Sequence, residues 1–125
     1  MAAKPRIRVV VSGGVARSQS TELVGPWAEA ALAQATIGTA FIGVDGLDIE
    51  AGLTTHDPIE ARTNGVLLSR AEQVVVVADS SKLGRALPGV IAPISAMHVL
   101  VTDAGADPDV LAVLKQRGVR VVVAP

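Results

Sequence analysis

Val74-Val75-Val76-Val77-Ala78-Asp79-Ser80-Ser81-Lys82-Leu83-Gly84 is the stretch that decides the fold. Its first five residues are apolar, and they do not alternate with polar ones. A continuous run of β-branched residues suits a strand covered on both faces, which favours a parallel sheet. The run then stops on Asp79, two serines and Lys82. In an open parallel sheet ligands bind beyond the carboxyl ends of the strands, so these polar residues fall where a site belongs.

Four more short apolar runs surround it, at residues 7–11, 39–44, 99–101 and 119–123. With residues 74–78 they predict five strands. Three helix starts lie among them. Gly25-Pro26 places proline at a first helical position, with Trp27, Ala30, Ala31 and Gln34 following at helical spacing. Asp57-Pro58 opens the second, and Glu60 completes a capping-box spacing. Ile59, Thr63, Val66, Leu67 and Ala71 form its expected buried stripe. Asp107-Pro108 opens the third, Val110, Leu111 and Leu114 point inward, and Gly118 ends it. Residues 80–97 hold Gly84, Pro88, Gly89 and Pro93 and read as loop with one helical turn at most. Strand and helix alternate, so the expected class is α/β. The expected architecture is three-layer and Rossmann-like, a mostly parallel sheet of about five strands with helices on both faces, over residues 1–125.

Composition narrows the function. Of 125 residues, half are hydrophobic and 18% charged, which excludes a disordered tail. Lysine plus arginine number 11 and aspartate plus glutamate 12, for a net charge of -1. That balance lacks the basic excess of a nucleic-acid-binding domain. Trp27 and Phe41 are the only aromatics, too few for base stacking. No cysteine is present, which excludes disulfides, thiolate metal sites and a thiol nucleophile. With two histidines besides, no metal and no cofactor is expected. Residues 1–5 lack the apolar run of a signal peptide, and no apolar stretch is long enough to span a membrane. The expected location is the cytoplasm.

The polar residues after the strands are the candidate site. Ser12-Gly13-Gly14 presents backbone N–H groups suited to an oxyanion, and reads equally as a plain turn. Arg17 and Lys82 supply cations for a phosphate or carboxylate. Asp45, Asp48, Asp79 and Glu60 accept from hydroxyl groups, while Thr54 and Thr55 donate or accept. Asp45-Gly46 is also a common turn dipeptide, and Glu60 also closes a helix cap. His56 flanks the Asp57 cap, and His98 at the start of an apolar run reads as structural. Neither a phosphate-binding P-loop, a dinucleotide fingerprint nor a nucleophile elbow occurs. A small polyol or sugar phosphate fits these residue types.

Several blocks together resemble a known family. Gly13-Gly14 with Arg17, then Leu23-Val24-Gly25-Pro26, is similar to a Gly-Gly…Leu-Val-Gly-Pro stretch of the effector domain in DeoR-type transcriptional regulators. Ala40-Phe41-Ile42-Gly43-Val44-Asp45-Gly46, Gly52-Leu53-Thr54-Thr55 and Glu60-Ala61 resemble its next blocks. Ala78-Asp79-Ser80-Ser81-Lys82-Leu83-Gly84 and Val101-Thr102-Asp103 resemble its last two, in family order. The resemblance implies a ribose-5-phosphate isomerase-like domain that senses phosphorylated sugars in repressors of sugar-utilisation genes. It implies a sensing rim of Gly13, Gly14, Arg17, Asp45, Gly46, Gly52, Thr54, Thr55, Glu60, Asp79 and Lys82. It also implies DNA held only through a winged helix-turn-helix domain that these residues do not include; a homo-oligomer is expected because a sheet edge or face left uncovered invites self-association. The family's opening Asp-x-Gly-Thr-Thr and Thr-Asn loops are not among them either. Asn64 stands where many members carry lysine, and Arg62 where an acid is common.

Three readings follow. One is a regulatory sensor without catalysis. Another is an isomerase-like enzyme, with Asp45, Asp48 or Glu60 as base and Lys82 as electrophile. The last is a dimerisation remnant without ligand.

Overall fold

A computed structural model describes residues 6–125; residues 1–5, where the signal-peptide question arose, lie outside it. The elements run β1 (Val15–Ala16), β2 (Leu23–Val24), α1 (Pro26–Ala33), β3 (Ile37–Gly43), β4 (Gly46–Asp48), β5 (Gly52–Thr55), α2 (Pro58–Ser69), β6 (Ala71–Val77), β7 (Gly89–Ala92), β8 (Val99–Asp103), α3 (Pro108–Gln116) and β9 (Arg120–Ala124). The class is the expected mixed α/β, built on a parallel sheet flanked by helices. Its four strands take the order β3-β6-β8-β9. No helix among the described residues is long and apolar enough to cross a membrane.

The helix starts are those the prolines announce. Pro26, Pro58 and Pro108 each occupy a first turn, where a missing N–H costs nothing. Asp57 accepts from the Glu60 N–H and Asp107 from the Asp109 N–H. Gly118, at φ 89°, follows α3 and donates back to Lys115.

Several expectations change. Residues 7–11 form no strand. They are exposed and, among the described residues, have no ladder partner, without which β-branched composition makes no strand. The parallel sheet therefore has four strands, not about five. The polar segments after β3 are themselves strands: β4, β5 and β7 form an antiparallel sheet in that order. Residues 80–97 hold β7, bracketed by Pro88 and Pro93, and 3-10 turns at Ser80–Lys82 and Ile94–Ala96. On α2 the buried side is Glu60, Ala61, Thr63, Asn64 and Leu68, while Ile59 is 58% exposed.

The second helical layer expected over the sheet is not supplied by the described residues. Ala40, Ile42, Val74, Val76 and Leu100 join Leu68 of α2 and Leu114 of α3 in one apolar cluster. The antiparallel sheet adds Leu47, Leu53 and Ile91 to it. Side chains alternate along a strand, so their neighbours point the other way. On that side Phe41 is 72% exposed, Val77 49% and Val122 39%.

Candidate functional site

The cleft lies where β3 ends, between the β1–β2 hairpin, the end of β5 and the first turn of α2. Arg17, Gln19, Ser20, Asp45, Thr55, His56 and Glu60 line it, around a volume of about 280 Å³. The hairpin turn is tight: Thr21 N–H donates to the Arg17 carbonyl at 2.7 Å, and Arg17 N–H to the Glu22 carbonyl at 2.9 Å. Thr21 takes φ 57°, a left-handed conformation that is strained for a β-branched residue. Such strain persists only where the surroundings enforce it. Here the turn carries Arg17 and Ser20 to the amino end of α2.

Glu60 is more than a helix cap. Its Oε2 accepts from the Arg17 guanidinium and from Ser20 Oγ, the latter at 3.3 Å. Arg17 Nε also lies 3.7 Å from Asp57 Oδ2. Asp45 follows β3, and its Oδ2 accepts from Thr55 Oγ1 at 2.6 Å. That bond fixes the carboxylate at the cleft wall, so Asp45 does more than make a turn. One cation faces Asp45, Asp57 and Glu60, and the arrangement is rich in acceptors for hydroxyl groups.

Glu22 sits behind Glu60 and was not singled out from the sequence. Its Oε1 accepts from Asn64 Nδ2 at 3.5 Å, and its Oε2 is buried without a hydrogen-bond partner. Burial pushes its carboxyl up to about 7, and the neighbouring Glu60 carboxylate pushes the same way. The Asn64 bond pulls it down and the Asp45 charge lifts it. Gln19, Ser20 and Asn64 were also missed as site residues. The available signal was a polar Ser18-Gln19-Ser20-Thr21 run ending on one acid just before Leu23-Val24.

The expected rim divides. Arg17, Asp45, Thr55 and Glu60 come together. Thr54 is fully buried and accepts from the Leu87 N–H at 3.1 Å, so it holds the loop before β7. Gly46 packs against the Arg85 carbonyl and Thr54, where a Cβ would clash. Gly52 takes φ 91° against the Ala92 carbonyl, a position only glycine fills without strain. Gly13 and Gly14 lead into β1, with Gly14 packed on Ala28. None of these five lines the cleft.

Asp79 and Lys82 lie in a separate cluster beyond β6 and β8. Asp79 Oδ1 takes the Ser81 hydroxyl and, at 2.9 Å, the Ser81 N–H. Asp103 takes the N–H groups of Ser80 at 2.9 Å and Gly105 at 2.8 Å. The Ser81 hydroxyl, then its N–H, hold Asp79 below the usual carboxylate range; the N–H groups of Ser80 and Gly105 do the same for Asp103. The loop docks on β4 through Gly84 N–H and the Leu47 carbonyl, 2.8 Å apart. Asp48 accepts from the N–H groups of Glu50 and Ala51, and His98 Nδ1 from the Val74 N–H, both structural. No cluster of three metal-ligating side chains occurs among the described residues.

A family model described as the DeoR C terminal sensor domain matches residues 1–104. The chain is 37% identical over 114 residues to the HTH-type transcriptional regulator GlpR of Haloferax volcanii, covering 91% of this chain and 45% of that protein. It is 34% identical over 117 residues to the putative aga operon transcriptional repressor of Escherichia coli O157:H7, covering 94% and 44%. It is 28% identical over 111 residues to the glycerol-3-phosphate regulon repressor of Escherichia coli K12, covering 89% and 44%. The chain thus spans less than half the length of these relatives.

Proposed function

The chain belongs to the DeoR family as a C-terminal sensor domain, and from that premise we propose that it is the effector-binding part of a repressor of sugar metabolism. The effector is a phosphorylated sugar or polyol. DNA contact belongs to a helix-turn-helix domain outside residues 1–125, and binding here shifts the population between DNA-bound and released states. The relatives' names, which include a glycerol-3-phosphate regulon repressor, support the ligand class.

The observation that carries the reading is the meeting of Arg17, Asp45, Thr55 and Glu60 around one cleft beyond β3. A parallel sheet presents ligands at that end. The volume suits a ligand of sugar size, at the small end of ligand pockets. Asp45 and Glu60 accept hydrogen bonds from its hydroxyl groups, and Arg17 meets the anionic end. The reading is of a binding module, not an enzyme.

A proton-transfer enzyme is the second reading, because Glu22 is lifted to about 7 beside Glu60. One assay separates the two. A thermal-shift screen against phosphorylated sugars and polyols should give a saturable rise in melting temperature for a selected compound, recovered unchanged afterwards. Asp45→Asn should lose that rise while remaining folded. Isomerisation of the compound supports the enzyme instead, and no shift with any compound in folded protein removes the effector reading.

A further inference from the structure

We propose that Glu22 is a positioning residue of the effector cleft: its carboxyl carries a proton and donates it to Glu60, which holds Glu60 for the effector's hydroxyl groups and keeps one negative charge away from the effector's anionic end. The role rests on the effector binding proposed above and adds a pH dependence to it.

The contacts bring the two acids together from two sides. Glu60 and Asn64 are four residues apart on α2, so they share a face of that helix, and both are buried. Glu22 reaches that face from the β1–β2 hairpin, where its Oε1 accepts from Asn64 Nδ2 at 3.5 Å. Ser20 ties the acids from within the hairpin. Its hydroxyl accepts from the Glu22 N–H at 3.4 Å and donates to Glu60 Oε2 at 3.3 Å.

Glu22 Oε2 is the atom left over, buried and without a hydrogen-bond partner. A charged oxygen there has given up water for nothing, whereas a protonated one becomes a donor. Glu60 is the acceptor beside it. The bonds from Arg17 and Ser20 both end on Glu60 Oε2, which leaves Oε1 to take the proton. Charge argues the same way. Asp45, Asp57 and Glu60 already face the guanidinium of Arg17, so a fourth negative charge would stand unbalanced against an anionic ligand. Burial, then the nearness of Glu60, raises the Glu22 carboxyl to about 7, so it keeps its proton on the acid side of neutrality.

When that proton passes to solvent, Glu22 and Glu60 repel, Glu60 loses the donor that fixes it, and the ligand's anionic end meets an added charge. Affinity for the effector therefore falls as pH rises through about 7. One charge beside the cleft changes binding by about tenfold.

The test has two arms, both on the full chain. The first needs no ligand: the side-chain carboxyl carbons of Glu22 and Glu60 are followed by NMR against pH. Two acids that share a proton should show a common inflection near neutrality. The second is calorimetric titration across the neutral range with the compound that the thermal-shift screen selects, or with inorganic phosphate if it selects none. Glu22→Gln keeps a donor for Glu60 and never gains the charge. It should match the wild type on the acid side and bind about tenfold more tightly on the alkaline side. The ratio of the two affinities cancels the ionisation of the phosphate itself. Glu22→Ala, with no donor, should bind more weakly than either on the acid side. His56→Gln should keep the wild-type slope, which separates Glu22 from the other cleft side chain of a type that changes charge near neutrality. A Glu22 carbon that titrates in the ordinary carboxylate range overturns the proposal, with or without a ligand. So does a Glu22→Gln to wild-type ratio that stays constant with pH, which is what a merely structural Glu22 would give. Binding of neither the screened compounds nor phosphate overturns the effector reading itself, and the carbon titration tells that failure apart from this one.

Discussion

Glu22, beside Glu60, and the Asp79–Asp103 pair are carboxylates in two different regions of the molecule, and Glu22 is shifted in the opposite direction to that pair. Glu22 is raised to about 7 because water has been removed and another acid is close. Asp79 and Asp103 are lowered because N–H and O–H donors point at them in the open. The difference separates two jobs. A carboxyl deprived of water beside another acid is costly to keep charged. A pair satisfied by its own loop holds that loop's shape.

The largest test of this contrast removes the shared cation. Arg17→Met leaves Asp57 and Glu60 without the cation that both contact. Breaking a fully buried pair costs about 3–5 kcal/mol. Here the side chains of Arg17 and Glu60 are 24% and 11% exposed, so about 2 kcal/mol is the expected loss at neutral pH. Chemical denaturation should show it, and the loss should shrink as the medium is acidified and the acids take up protons. An unchanged stability would show that Arg17 is not what balances the cleft.

The second test isolates Glu22. Its folded value of about 7 stands above the ordinary value of 4.5, so the folded state prefers the protonated carboxyl. The stability this brings is fully present below 4.5 and is lost as pH rises through about 7. Glu22→Gln should abolish that decline and be the more stable protein on the alkaline side. The side chain is not fully enclosed, so solvent screening leaves about 1 kcal/mol of difference. Parallel pH–stability curves for the two proteins would break the comparison.

The two regions were not equally legible in the sequence. Asp57-Pro58 and Asp107-Pro108 announce helices because a cap and a fixed φ act locally. Residues 74–78 announce a buried strand because their composition needs no partner to be read. Arg17, Asp45, Thr55 and Glu60 were visible as polar residues after apolar runs. Glu22 and Ser20 were not, because only the Thr21 turn folds them back over α2. Nor were β4 and β7, which are short and exist by pairing with β5. Residues 7–11 show the converse: strand composition without a neighbour gives no strand. The open sheet face has the same origin, since what covers a strand is set by the fold around it and not by the run itself.

The smallest effect belongs to the exposed pair. Asp79 and Asp103 have folded values below 3.8, so their contribution is present above 3.8 and is lost as pH falls through the lower folded values. Asp79→Asn keeps an acceptor for the Ser81 groups but no charge. The variant should match the wild type in melting temperature at neutral pH, within the scatter of an exposed surface change. Its acid limb should be shallower, and amide exchange at Ser81 and Lys82 should quicken, because the bond from the Ser81 N–H weakens with the charge. Cleft behaviour should not move: the rise of Glu22 comes from burial, then from Glu60 and Asp45 against the opposing Asn64 bond, and from no group of this loop. A change in the neutral-to-alkaline limb on removing the Asp79 charge would therefore join the two clusters electrostatically. Lys82 would be the link, as the cation whose charge acts on Asp79. The divided rim would then work as one site after all.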